Sequence, residues 1–354
     1  MYPKYRTVFM NRKEGPSMID YIYKSVFASF FLDFIHVKET MGFNTPKIEY
    51  ILKEFDMFFQ AQGIKEPVIR KEHLKAWREE RVNESERTIY DKWSIISQFS
   101  RYMCHIGFPC YVPHMPKRSF GVGSYIPYIF THEQMTSIFK ASDDMVMTSN
   151  NMESRMFCIP ALLRTLYSTG MRIGEACSLL NKDIDMQKSQ ILIRKTKNQQ
   201  ERIVPFCPSL AKVLEQYKQY RDRINVAGLS SPESSFFVAP NGNKLNPGCM
   251  HKWFRKLLKI CGIPFVGGNH GPRIHDIRHT FAVHSLMQQV KTGSDIYCSL
   301  PILSTYLGHK TLSGTERYVR LTQEMFPDII SQEESVSSYV FPSISLIKRA
   351  DGEQ

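Results

Sequence analysis

The stretch from residue 109 to 123 constrains this chain most. It holds Pro109, Pro113, Pro116, Gly121 and Gly123 around the basic pair Lys117 and Arg118, without apolar periodicity, so no regular element runs through it. It reads as a linker. It divides 354 residues into two parts, each long enough to bury a core of its own. The expected layout is a helical domain over 1–115, a linker over 116–130, a second domain over 131–335 and a tail over 336–354.

Helical periodicity dominates the first part. Ile48, Ile51, Leu52, Phe55, Phe58 and Phe59 form one stripe, and Ile89, Trp93, Ile96, Phe99 and Met103 another. Gly42, Gly63 and the Glu66-Pro67 step punctuate the pattern, which predicts about four helices between Met18 and Ile106 with little room for strands. The aromatic stripes are expected to be core.

The second part begins with Thr131 and Gln134, a capping box for a helix start. A helical run over 155–169 stops at Thr169-Gly170, and a new helix starts at Met171 or Arg172 with Ile173, Ala176 and Cys177 inward. Ile191 to Ile193 and Arg202 to Val204 read as a β-hairpin around a polar tip that contains Lys197. Phe236 to Val238 reads as a short strand, Asn241-Gly242 as a turn, and Asn246-Pro247 as a helix start. Further helices are expected near 275–289, 301–306 and 322–331.

Charge narrows the choice of partner. The chain carries 46 Lys and Arg against 34 Asp and Glu, a formal net charge of +12. Residues 1–115 hold 17 basic and 14 acidic groups and residues 116–354 hold 29 and 20, so most of the positive field belongs to the second part. Such a surplus favours a polyanion such as nucleic acid. A charged fraction of 23% and a hydrophobic fraction of 42% exclude disordered, collagen-like and polytopic membrane classes. The eight cysteines form no C-x-x-C pair, which argues against a zinc ribbon or a disulfide scaffold. The start of the chain shows no secretory signal pattern and Val26 to Leu32 is too short to span a bilayer, so a cytoplasmic protein is expected.

Four pieces carry chemistry: Thr169-Gly170-Met171-Arg172-Ile173-Gly174-Glu175, the hairpin with Lys197, His275-Asp276-Ile277-Arg278-His279, and Leu307-Gly308-His309 followed by Tyr318. In this order they resemble the signature of the tyrosine recombinases, or phage-integrase family: T-G-x-R-x-x-E, a hairpin lysine, H-x-x-R, L-G-H and a distal tyrosine. The resemblance covers about residues 131–330 by motif, and the helical first domain is similar to the family's core-binding domain in pattern. It implies a mainly α fold with a small β-hairpin or sheet, in a two-domain clamp on duplex DNA.

The residue types suit that chemistry. A phosphodiester gathers charge on its non-bridging oxygens during exchange, and the planar guanidinium forks of Arg172 and Arg278 bond two oxygens at once without deprotonating. A tyrosine hydroxyl, with a free pKa of about 10, needs cationic neighbours or a base, and His309, Arg172 and Arg278 can supply that environment. The resemblance makes Tyr318 the nucleophile that forms a 3′-phosphotyrosine, and Lys197 the donor to the leaving 5′ oxygen. It places His275 and His309 on the phosphate, and Glu175 is expected to orient neighbouring side chains. Lys117, Arg118, Lys195, Arg202 and Arg273 are further candidates for DNA contact.

The hairpin tip departs from the glycine-rich tip common in Xer-type members, so Lys197 is counted back from Arg202, with Lys195 as the fallback. The resemblance implies no metal and no cofactor. It also implies two double-stranded DNA sites held by a homo-tetramer, accessory recombination proteins, a mobile-element setting and a prokaryotic, nucleoid-associated location. Two other readings compete. One is a catalytically silent DNA-binding regulator on the same fold; the other is a zinc hydrolase built on His275 and His279, spaced i and i+4 on a helix. In that case Arg172, Arg278 and Tyr318 would go unexplained; His279 is expected instead to be a structural helix residue.

Overall fold

The computed structural model describes residues 21–115, 127–146, 156–194, 201–266 and 271–325. The chain divides into two compact units, Met1–Ser124 and Tyr125–Gln354.

Helices α1 (Ala28–Thr40), α2 (Pro46–Ala61), α3 (Lys71–Glu79) and α4 (Glu86–His105) build the described part of the first unit, without a strand. Pro46 opens α2 where its missing N–H costs nothing, and the Ser85 hydroxyl caps α4 by accepting from the Thr88 amide. Both expected stripes turn inward. Phe27, Phe31, Phe55, Phe59, Phe99 and Trp77 are fully buried, and the Phe55 and Trp77 rings stack at 4.4 Å. Each such side chain contributes roughly 1.5–3 kcal/mol over its exposed state. A carboxylate breaks the apolar stripe of α2. Asp56 is fully buried and accepts from the Lys24 and Ser25 amides, both at 2.9 Å, and from the Tyr21 hydroxyl at 2.8 Å. These three donors compensate its burial and tie the segment before α1 to α2.

The second unit starts earlier than expected. Residues Tyr128 to Phe130 are not linker: Ile129 and Phe130 are buried, and the Phe130 amide donates to Thr280 Oγ1 at 3.0 Å. Helix α5 (His132–Asp143) follows with the capping box intact. Helix α6 (Ile159–Thr169) and the single turn α7 (Ile173–Ala176) meet at Gly170 and Arg172. A three-stranded antiparallel sheet comes next, β1 (Ile184–Asp185), β2 (Gln190–Ile193) and β3 (Arg202–Pro205), in the order β1-β2-β3. The β2–β3 register pairs Ile191 with Val204 and Ile193 with Arg202. Helices α8 (Pro208–Arg221), α9 (Pro247–Ile260), α10 (Asp276–Lys291), α11 (Ile296–Leu307) and α12 (Ser313–Met325) complete the unit.

Three local expectations are corrected. Phe236 to Val238 is not a strand: it is buried chain bounded by the single bridges Leu180–Ser235 and Val238–Lys244, its aromatic pair serving the core. The helix assigned to 301–306 begins at Ile296, where the Asp295 carboxylate accepts from the Cys298 amide, so Pro301 lies inside it. The final described helix begins at Ser313, not near 322, because its buried face is Thr315, Tyr318, Val319 and Thr322, too polar to show as an apolar stripe. No described helix is long and apolar enough to cross a membrane, and all eight cysteines are free.

Candidate active site

Two left-handed glycines end the helices that lead into the site. Gly170 closes α6 with φ +58°, and Gly308 closes α11 with φ +67°. Each ending turns a backbone carbonyl toward α10. Arg278, in the first turn of α10 and 2% exposed, donates Nη1 to the Gly170 carbonyl and Nη2 to the Leu307 carbonyl, both at 2.8 Å. Its Nη2 also lies 2.9 Å from His309 Nε2. A Cβ on Gly170 would lie 2.3 Å from Phe281 Cδ1, so this close approach of α6 to α10 admits only glycine.

The Arg278 contact fixes the state of His309. A guanidinium has no acceptor, so Nε2 must offer its lone pair and Nδ1 must carry the hydrogen. Nδ1 accordingly donates to Thr315 Oγ1 at 2.8 Å. Burial, and then the Arg278 and Arg172 charges, push His309 down to about 4, which keeps it neutral near pH 7. His275, just before α10, is lowered to about 4 by burial and by Arg278 and Arg172. Arg278 itself is lowered to about 10, by burial first and then by Arg172. Arg172 and Arg278 thus lie close enough to both His275 and His309 to oppose their protonation.

Glu175 organises the neighbouring arginines. Its Oε2 accepts from the Arg172 amide at 3.0 Å and its Oε1 from Arg172 Nη1 at 2.8 Å, closing a capping box around α7. Arg202 Nη2 reaches Oε2 at 2.8 Å, while Arg202 Nε donates to the Tyr306 carbonyl at 2.9 Å. Burial alone would raise the Glu175 carboxyl, but Arg202 and Arg172 outweigh it and hold it at about 2. This corrects the expectation for Arg202. Its side chain is 9% exposed and its fork is spent on Glu175 and a carbonyl, so it braces Arg172's partner rather than facing DNA.

Tyr318 lies on α12, fully buried, and its hydroxyl is 2.8 Å from His279 Nδ1. The Tyr318 and His309 rings run nearly parallel with centroids 6.2 Å apart, and the exposed Arg317 guanidinium lies 5.3 Å from the Tyr318 ring. Sequence reasoning assigned His279 to helix structure and missed this contact. The signal was its position four residues after His275, which puts both imidazoles on one face of α10, 5.0 Å apart. Thr315 and the Gly170 and Leu307 carbonyls were missed as well, since backbone acceptors leave no trace in residue type. Among the described residues, no group of three or more His, Cys, Asp and Glu side chains could hold a metal ion. Arg273 lies beside the site, its Nη2 3.8 Å from Asp276. Lys117, Arg118, Lys195, Lys197 and the tail 336–354 lie outside the described residues.

Comparison with known proteins gives the family of the chain. A family model described as the phage integrase family matches residues 129–325. Tyrosine recombinase XerC of Chlamydia caviae is 31% identical over 250 residues, covering 69% of this chain and 70% of that protein. The integrase/recombinase y4rB of Sinorhizobium fredii is 28% identical over 310 residues, covering 88% of this chain and 98% of that one. In fold, the chain is similar to the Tn1549 transposon integrase solved in complex with transposon right end DNA, with a TM-score of 0.59 at 14% identity, covering 84% and 98% of the two chains. The chain belongs to the phage integrase family and is a tyrosine-type site-specific recombinase.

Proposed function

We propose that this recombinase cuts and rejoins double-stranded DNA through a 3′-phosphotyrosine at Tyr318, in the service of a mobile element. The observation that carries the reading is the hydrogen-bonded meeting of α6, α10, α11 and α12 at Arg278, His309, His279 and Tyr318.

The residues divide the work by chemical type. Arg172 and Arg278 hold the non-bridging oxygens of the scissile phosphate, where charge grows as the phosphorus becomes five-coordinate. Three of the five guanidinium hydrogens of Arg278 are committed to protein acceptors, which fixes the plane of its fork and leaves two for phosphate. The Tyr318 hydroxyl gives up its proton to solvent as its oxygen forms the new P–O bond, the bond to the 5′ oxygen breaks, and Lys197 gives that oxygen its proton. The 5′-hydroxyl of a partner strand later reverses the step. One phosphodiester replaces another, so the exchange needs no nucleotide cofactor. His275, neutral and half-buried beside Arg278, donates to a phosphate oxygen; His309 does so once Nε2 leaves Arg278 and takes up a proton, which makes it a donor. Tyr318 is fully buried, so a phosphate reaches it only once its cover opens.

The field of the second unit, together with Lys117, Arg118, Lys195 and Arg273, draws the duplex in. The first unit contributes a second DNA-binding surface. A homo-tetramer on two sites then supplies the four cuts a full exchange requires, with accessory recombination proteins as further partners. Several solved relatives of this fold are described as bound to DNA, one as a tetramer on a Holliday junction.

The test is incubation with nicked suicide duplexes drawn from the ends of the element that carries the gene, in the presence of chelator. A denaturation-resistant protein–DNA adduct is expected. Specific binding without an adduct would instead favour a regulator.

A further inference from the structure

We propose that His279 is the positioning residue of the nucleophile: its Nδ1 accepts the Tyr318 hydroxyl hydrogen and fixes the rotation of that hydroxyl beside His309. The inference rests on Tyr318 as the nucleophile. It adds a residue outside the arginines, lysine and histidines that address the phosphate.

The geometry assigns donor and acceptor. Tyr318 is fully buried, and a buried hydroxyl must find an acceptor for its hydrogen. His279 Nδ1 lies 2.8 Å away, on a ring 3% exposed. If Nδ1 carried a hydrogen, it would donate to the phenol oxygen and leave the phenol hydrogen to seek another buried acceptor. The tautomer protonated at Nε2 satisfies the hydroxyl. The ring's surroundings hold it neutral, since burial and then the His275, Arg317, Arg278 and Arg273 groups oppose its protonation. His279 therefore stays an acceptor through the neutral range and does not become a competing cation.

The placement explains why the histidine sits on α10. That helix also carries Arg278, so one rigid element sets both the phosphate fork and the nucleophile's partner, and the His275 ring packs edge-on against His279 at 5.0 Å. A phenol without such a partner would rotate its hydrogen among several directions. Only some of those leave an oxygen lone pair for in-line attack.

The experiment compares His279→Asn, whose side-chain oxygen can take the place of Nδ1, with His279→Leu, which keeps bulk but no acceptor. Adduct formation is timed on a duplex that traps the wild-type protein. His279→Leu is expected to slow adduct formation on the order of 10- to 100-fold at unchanged DNA binding, as loss of a buried hydrogen-bond partner implies. His279→Asn is expected to stay within about threefold of wild type by retaining that bond. Equal rates for His279→Leu and wild type, or equal losses in both variants with unchanged melting temperature, would overturn the proposal. A second arm needs no DNA: nitrogen-15 spectra of the histidine-labelled full chain, with and without Tyr318→Phe. The His279 Nδ1 resonance is expected to move toward the value of a bare, unbonded nitrogen in Tyr318→Phe, and an unmoved resonance would overturn the contact. An adduct formed by Tyr318→Phe would strike the nucleophile assignment instead, while the spectra still decide whether the contact exists.

Discussion

The Arg278 guanidinium donates to His309 Nε2 at 2.9 Å, and this one bond determines which nitrogen of His309 carries the hydrogen. The other nitrogen passes the constraint on to Thr315 Oγ1 at 2.8 Å. Thr315 is fully buried, so it has no solvent to substitute for it. Thr315→Val keeps the shape but removes the acceptor. Adduct formation is expected to fall on the order of tenfold, equivalent to about 1.4 kcal/mol, and Thr315→Ser is expected to restore it. Single-turnover cleavage of a trapping duplex by the three proteins checks this.

Glu175 makes stability depend on acid in a defined window. Its folded pKa is depressed to about 2, so its contribution is present above its unfolded value and lost as pH falls through the folded one. A depression of this size is worth roughly 3 kcal/mol. Glu175→Gln should therefore be less stable at pH 7 and lose less than wild type between about pH 4.5 and 2. The histidines act at higher pH: His275 and His309, depressed to about 4, lose their contribution as pH falls below about 6.5. Urea midpoints measured from pH 7 to about 2 separate the two windows.

Gly170 is expected to tolerate no side chain. Its φ of +58° disfavours one, and a Cβ would meet Phe281 Cδ1 at 2.3 Å and Leu307 Cδ2 at 2.9 Å. Gly170→Ala is expected to cost roughly 2–4 kcal/mol through left-handed strain and overpacking. Because the Gly170 carbonyl also anchors Arg278, adduct formation should fall beyond what the stability loss explains. An unchanged urea midpoint would refute the packing argument.

Where the sequence was legible, the physics was local. The Ile191 to Val204 hairpin, the Thr169-Gly170 helix end and the aromatic stripes of α2 and α4 depend on neighbours a few residues away, and each was readable. Long-range partners were not. Arg202 could be read as a free cation because nothing near it in sequence shows that Glu175, 27 residues back, occupies its fork. His279 looked like a helix histidine because its partner Tyr318 is 39 residues away. The start of α12 was hidden for another reason: threonines form much of its buried face, and their hydroxyls bond to groups that hydropathy does not register, as Thr315 does to His309.

The most direct test of the central claim is to trim the DNA of a trapped adduct with nuclease and map the remaining nucleotide by mass spectrometry, with Tyr318→Phe run alongside. The nucleotide mass is expected on Tyr318 alone, through its phenolic oxygen, with no adduct from Tyr318→Phe. A nucleotide on any other residue, or an undiminished adduct from Tyr318→Phe, would contradict the account.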